Sequence, residues 1–479
     1  MALLPQLDNS STEPIYRQLH AYIRQEILSG RLAPGERIPP TRELAGQLGL
    51  NRATVASAYE LLEQEGLIRG HVGRGSFVAG PGFRWDERFM AAPASDPPIP
   101  SADGVINFTS ARPAEELFPM DEFRASCTEV IEGGEAVKIL QLGSPLGYAP
   151  LRRYLLAGAS PESDVLVSSG CQQAFDLLQR LFTQPGDTVL VEDPIYPGLR
   201  NVFARAGVRT VGVPVGPDGL DTEALPRLIT RERSRLLVVT PNFQNPTGAT
   251  MPLAARQNLL KNAHESGLIV VENDIYGDLR YAGEPLPTLA QLDGSGLTLQ
   301  IKSFSKLAFP GLRVGWVVGP RAVIARLAEI KQWTDLHSDQ LSQAVLLRFA
   351  ESGRLDRHRQ RMVEAGAERL KAVLEACERH LPAGTRFTRP QGGMNLWVRL
   401  PEPLDASELL PRAQAAGASY LPGRYFAVTR PEPGALRLSF AGLTPAAIES
   451  GLARLGRMFK DELEVARSAP SAGLEPAIV

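Results

Sequence analysis

Residues 303–316 read SFSKLAFPGLRVGW. One lysine, Lys306, stands among Ser303, Ser305 and Arg313, directly after the apolar run LTLQI at 297–301. The chain has seven lysines, so its basic total of 51 is mostly arginine, and a reaction that needs an amine has few candidates. An apolar run that ends in hydroxyls, an amine and a guanidinium reads as a strand whose carboxyl end opens on a polar site. In an open α/β sheet that edge is where ligands bind.

Working outward, the runs DVLVS, DTVLVE, RLLVVT, LIVVEN, LTLQIK and VGWVVG alternate with helix-like segments between about 104 and 460. This alternation predicts an α/β fold with a mainly parallel central sheet. Upstream, residues 12–80 form a second unit. EPIYRQLHAYIRQEILSG places Ile15, Leu19, Tyr22, Ile23 and Ile27 at helical spacing, with Pro14 at the start and Gly30 as the stop. A short helix with Thr41 as cap ends at Gly49, and a third with Asn51 as cap ends at Gly66. LIRGHVGRGSFVAG then gives two strand-like runs around a Gly-Arg-Gly tip. Three helices and a hairpin describe a winged helix-turn-helix. Residues 81–103, rich in Pro, Ala and Ser, read as a linker, and 461–479 as a flexible tail.

With 479 residues the chain suits two or three domains. A net charge of −2 gives no global hint of a partner. Cys127, Cys171 and Cys377 form neither a disulfide framework nor a metal cluster, so no metal is expected and a reducing cytoplasm fits. MALLPQLDNSSTEP lacks the pattern of a secretory signal, and no apolar run is long enough to span a bilayer.

In the N-terminal unit Arg42 begins the second helix and Arg52 the third, with Thr54 close behind. The first turn of a recognition helix meets base edges or phosphates in the major groove. Arg74 at the hairpin tip is placed for a minor groove. Eight arginines against eight acids in residues 1–80 mean the charge must be sorted by face; Glu60, Glu63 and Glu65 lie at the far end of the third helix. IPPTRELAGQLGLNRATVASAYELLEQEGLI followed by GRGSFV resembles the GntR family of bacterial winged-helix regulators. The resemblance implies binding to a double-stranded DNA operator as a homodimer, with Arg42, Arg52 and Arg74 at contact positions.

In the larger unit VLVSSGCQQAFDLL is a strand, a turn and a helix whose first residues (Ser169, Gly170, Cys171, Gln172) expose backbone N–H groups, an anion seat. VEDPIYPG puts Tyr196 at a strand's mouth, where it could stack on a flat ligand or simply pack. TPNFQNPTG offers Asn245, and VVENDIYGDL offers Asp274 and Tyr276. An amine, an acid, phenols, an amide and a phosphate seat (Gly170, Cys171, Ser303, Ser305, Arg313) together suit pyridoxal 5′-phosphate, an aldehyde that an amine holds as a Schiff base. Lys302 is the alternative amine, without the same setting.

These motifs resemble fold-type I pyridoxal-phosphate enzymes of the aspartate aminotransferase superfamily, over residues 104–460. The resemblance implies Lys306 as the catalytic Schiff-base lysine and Asp274 as partner of the pyridine nitrogen. Asn245 and Tyr276 would face the ring oxygen and Tyr196 would stack on the ring. It implies Arg437, in GALRLSF, as the grip on a substrate carboxylate, with Gly393 and Asn395 as weaker substrate-side candidates. One departure is Leu142, where the family often has a tyrosine that reaches the neighbouring subunit's phosphate; Tyr148 is the possible stand-in.

A GntR-like head on an aminotransferase-like body is the layout of the MocR subfamily. That layout implies a transcription regulator in which an amine, an amino acid or the cofactor itself is sensed by Schiff-base exchange. A working amino acid aminotransferase is the alternative. The effector, the operator and the sign of regulation are left open.

Overall fold

The computed structural model describes residues 13–71, 75–79 and 104–468, with Pro5, Leu7, Asp8 and Ser11. The chain divides into two units, residues 1–98 and 99–479, a boundary that falls inside the expected linker. That linker (81–103) lies wholly outside the described residues, as does Arg74.

The head comprises α1 (Ile15–Leu28), α2 (Thr41–Leu48), α3 (Arg52–Gln64), β1 (Ile68–His71) and β2 (Gly75–Val78). Leu19, Ile23, Ile38, Leu44, Val55, Leu62, Ile68 and Val78 interlock as its core. Asn51 Oδ1 accepts the Ala53 N–H at 3.0 Å, the expected cap. Thr41, expected as a cap, is instead the first helical residue after Pro40, and no side chain caps α2. Gly30, Gly49 and Gly66 stop their helices with positive φ. β1 and β2 pair antiparallel from Ile68↔Val78 to His71↔Gly75, which forms the wing.

The body's strands are β3 (Ile106–Asn107), β4 (Ser163–Ser168), β5 (Thr188–Asp193), β6 (Arg209–Gly216), β7 (Gly219–Leu220), β8 (Leu236–Val239), β9 (Ile269–Asn273), β10 (Thr298–Ser303), β11 (Gly315–Pro320), β12 (Arg386–Phe387), β13 (Asn395–Arg399), β14 (Ala418–Ser419), β15 (Leu421–Pro422) and β16 (Ala435–Ser439). The central sheet runs β4-β11-β10-β9-β8-β5-β6-β7. Only β11 and the short β7 run against their neighbours. All six apolar runs are strands of this sheet, and they are continuous rather than alternating because both faces are covered. Alternate residues feed opposite layers: Val189, Val191, Val238 and Val271 join one cluster, Leu190, Leu237, Val239 and Val270 the other. A second sheet, β12-β13-β16-β15, packs with helices Arg354–His380 and Pro445–Ser468 around Phe108, Leu396 and Phe440.

The final helix corrects the expected tail. It continues through Ser468, because Leu463 remains buried against the body, so residues 461–468 are helical. Among the described residues no helix is long and apolar enough to cross a membrane.

Candidate functional site

The parallel strands β5, β8, β9 and β10 end at one edge, and the helices α4 (Cys171–Phe182) and α5 (Pro197–Arg205) begin there. A cavity of about 340 Å³ opens at this edge. Lys306, Tyr276, Asn245, Tyr196, Cys171 and Arg437 all contribute to its wall. The sequence separates these residues widely; parallel strands with helical crossovers bring their loops together.

Lys306 ends β10's extension into the turn 304–306, and its Nζ donates to the Ala111 carbonyl at 2.8 Å. Burial holds its pKa down to about 8; the Cys171 thiol opposes this, while Arg437, Arg313 and Arg112 add to it. The neutral amine is therefore accessible near physiological pH. For apo protein, capture of an aldehyde should accelerate as pH rises through about 8 and level off above it, whereas an ordinary lysine would turn over near 10.5. Stopped-flow absorbance across a pH series reads this directly, and a midpoint near the ordinary value would show a solvated amine.

Asp274 stands behind the wall, between the lining residues Asn273 and Ile275. Asn242 Nδ2 donates to its Oδ1 at 2.8 Å, and Lys302 Nζ lies 3.6 Å from its Oδ2. Asn242 is itself fixed by the buried Arg256, whose guanidinium donates to Asn242 Oδ1 at 2.7 Å. Burial pushes the Asp274 carboxyl up, and the Lys302 ammonium and the Asn242 amide pull it back toward the charged form. Lys302, the alternative amine, is thus engaged with Asp274 and, at 3.8 Å, Asp278.

Tyr276 is fully buried, and its hydroxyl lies 3.5 Å from Asn245 Nδ2; burial pushes its pKa up to about 12. Arg437 NH1 donates to Asn245 Oδ1 at 3.0 Å and NH2 to the Thr109 carbonyl. Burial lowers its pKa to about 10. Asn395 Oδ1 accepts the Ser439 hydroxyl at 2.8 Å. Gly393 adopts φ +73 against Phe243. Tyr196 caps α5 at the cavity mouth, 41 % exposed. A Cβ on Gly198 would stand 2.4 Å from its ring, so the glycine that follows makes room for the aromatic.

The anion seat is built by close backbone approach. Gly170 precedes α4 with φ 79 and ψ 172, and a Cβ there would lie 2.3 Å from Arg313 NH2. Arg313, itself left-handed at φ 55, reaches Ser305 Oγ and the Ser169 carbonyl, each at 3.4 Å. Ser303 serves its own turn: its hydroxyl accepts the Ser305 N–H at 3.1 Å and donates to the Val314 carbonyl at 3.0 Å. Gln172 turns its side-chain amide to the Gly198 carbonyl at 3.1 Å, which leaves its backbone N–H as its contribution.

Sequence reasoning missed the segment Thr109–Arg112, which lines the cavity, and the Asn242–Arg256 brace. Leu142, by contrast, is 81 % exposed, and Tyr148 packs partly against apolar neighbours of its own protomer.

In the head, Arg42 and Arg52 are exposed at the starts of α2 and α3, and Thr54 is half-buried in α3's first turn. Neither arginine has an ion-pair partner among the described residues. At the opposite end of α3 two of the three acids are engaged: Arg24 Nε donates to Glu65 at 3.1 Å, and Glu63 accepts the Gly70 N–H at 3.1 Å. The charge is sorted along the helix, with the positive end free.

Residues 15–78 match the family model for bacterial regulatory proteins of the gntR family, and residues 124–455 that for aminotransferase class I and II. The probable rhizopine catabolism regulatory protein MocR of Rhizobium meliloti is 31 % identical, with 95 % of each chain covered. The chain belongs to the MocR-type regulators of the GntR family. This MocR-type chain is a DNA-binding transcription regulator with an aminotransferase-like body. The body alone is 39 % identical to the 2-aminoadipate transaminase of Thermus thermophilus, covering 74 % of this chain and 90 % of that one. A crystal structure of Pyrococcus horikoshii kynurenine aminotransferase, in complex with PMP, superposes with a TM-score of 0.75 at 33 % identity, over 79 % of this chain and 97 % of that one. The aminotransferase family is pyridoxal-phosphate dependent, and the MocR-type body has what that group requires. Among the described residues the buried Arg437 Nε has no hydrogen-bond partner, and the Gly170–Arg313 cradle is closed to any side chain at 170.

Proposed function

We propose that the body senses an amine or amino acid by letting it compete with Lys306 for the cofactor, and that the head reports the outcome at the operator. Pyridoxal phosphate supplies a reversible amine-capturing aldehyde and an electron-withdrawing ring. Lys306 is the amine that holds it, and Asp274 keeps a proton at the ring nitrogen. Tyr276 and Asn245 donate toward the ring oxygen, and Tyr196 covers the ring. Gly170, Cys171, Gln172, Ser303, Ser305 and Arg313 receive the phosphate, and the Ser303 hydroxyl also braces the turn that carries them. Arg437 and Asn395 hold the ligand carboxylate. The single observation that carries this reading is a half-buried amine near pKa 8 in one wall with a buried arginine whose Nε lacks a partner among the described residues. A typical coupling of roughly 1–3 kcal/mol would change operator affinity ~5–150-fold. Simultaneous titration of the holo protein with amines, read by cofactor absorbance and by binding to the DNA upstream of the gene, tests it; absorbance shifts with no change in DNA binding would refute sensing.

A second reading, a working aminotransferase with an attached head, draws on the same near-neutral Lys306. Multiple turnovers with an amino acid and a keto-acid acceptor would favour it, and stalling after one would favour the sensor.

For the head we propose base or phosphate contacts by Arg42, Arg52 and Thr54, with Arg74 at the wing tip. Arg52→Ala should weaken operator binding roughly tenfold, the scale of one two-bonded arginine contact, with cofactor absorbance intact. Equal gel-shift affinities for wild type and variant would remove Arg52 from the interface. We further propose a homodimer in the cytoplasm. Val137, Leu140 and Leu142 are 72 %, 66 % and 81 % exposed within six residues, an apolar patch suited to burial against a second copy.

A further inference from the structure

We propose that the cavity selects amines bearing a second anionic group, dicarboxylic amino acids as a class, and that Arg112 is the selecting residue. This deepens the sensor reading and rests on it. Three cations face the cavity, Lys306, Arg437 and Arg112, and its wall contains no aspartate or glutamate. Lys306 is assigned to the cofactor and Arg437 to one carboxylate, which leaves one positive charge over.

That remaining charge is fixed in place yet unpaired. Arg112 Nε donates to Ser110 Oγ at 2.8 Å, so its two terminal nitrogens are available as a fork for a carboxylate. Among the described residues no carboxylate forms an ion pair with it. The backbone leading into it is anchored twice, because the Thr109 carbonyl accepts from Arg437 and the Ala111 carbonyl from Lys306. Its charge is also felt at Lys306, where it helps depress the ammonium's pKa.

Depth supplies the length requirement. Lys306 and Arg437 belong to the interior of the cavity, whereas Arg112 is exposed. A ligand held at its amine and α-carboxylate inside must therefore extend its far end outward to meet Arg112. Ile195, Leu199, Leu421 and Phe426 line the way and suit a short methylene chain. A neutral tail would leave the guanidinium with Ser110 alone, and a cationic tail would meet three like charges.

The test uses full-length holo protein titrated with L-glutamate, L-2-aminoadipate, L-norvaline and L-norleucine. Cofactor absorbance and calorimetry both report binding. Wild type should favour each diacid over its neutral counterpart by roughly tenfold at low salt, and less as salt rises. Arg112→Met should bring that ratio close to one, and Arg112→Lys should restore part of it. Equal affinities in wild type, or an unchanged ratio in Arg112→Met, would overturn the assignment while leaving the sensor intact. If none of the four moves either signal, this inference fails, while the sensor reading is decided separately by the wider amine titration above.

Discussion

Lys306→Ala protein, reconstituted with pyridoxal phosphate and treated with borohydride, is expected to show the mass of the bare chain. The alternative amine at the site, Lys302, is poorly placed to take over. Lys302 lies four residues earlier, outside the cavity wall, with its ammonium between Asp274 and Asp278. Burial works to lower its pKa, but the neighbouring carboxylates outweigh burial and raise it, so it stays protonated and non-nucleophilic. Cofactor affinity should fall roughly a hundredfold or more, about 2.8 kcal/mol, since the remaining contacts are non-covalent. The apo variant should melt no lower than wild type, because the substitution removes a half-buried ammonium that, among the described residues, hydrogen-bonds only to the Ala111 carbonyl. A borohydride-stable adduct on the variant would mean the site is misassigned.

The second large effect is expected at Gly170. Its φ of 79 with ψ of 172 lies in a region that only glycine enters readily, and strain there costs about 1–3 kcal/mol. In Gly170→Ala the new Cβ would also sit 2.3 Å from Arg313 NH2 and push the guanidinium out of its cradle. Phosphate-dependent affinity for the cofactor should drop roughly a hundredfold, measured by absorbance titration against pyridoxal, which lacks the phosphate. A cycle with Arg313→Ala separates the two penalties. If the displaced guanidinium carries the loss, the double variant should bind about as well as Arg313→Ala alone. Affinities for pyridoxal phosphate that match wild type would place the phosphate elsewhere.

Much of this site could be read one segment at a time. Asn245, Asp274 and Lys306 each follow an apolar run that could only be a buried strand, so the strand order was unnecessary to place them at one edge. Arg112 escaped because nothing local marks it. FTSARP has no strand or helix period, and its hydrogen bond to Lys306 joins residues 195 positions apart. The Asn242–Arg256 brace was hidden for the same reason: an arginine in a helical pattern reads as solvated, and only the packed structure shows it buried on carbonyls. The final helix ran past its expected end since Leu463 finds a pocket that composition alone could not foresee.

The hairpin that joins β10 to its antiparallel neighbour β11 carries both Lys306 and Arg313, and it is clasped at its base by Phe304 N–H and Ser303 Oγ on the Val314 carbonyl. In the proposed site one staple would therefore bear the covalent hook and the ionic hook together. Exchange at the first would then leave the second in position, held by the same clasp, so that a visiting amine could come and go with the prosthetic group still tethered by its phosphate.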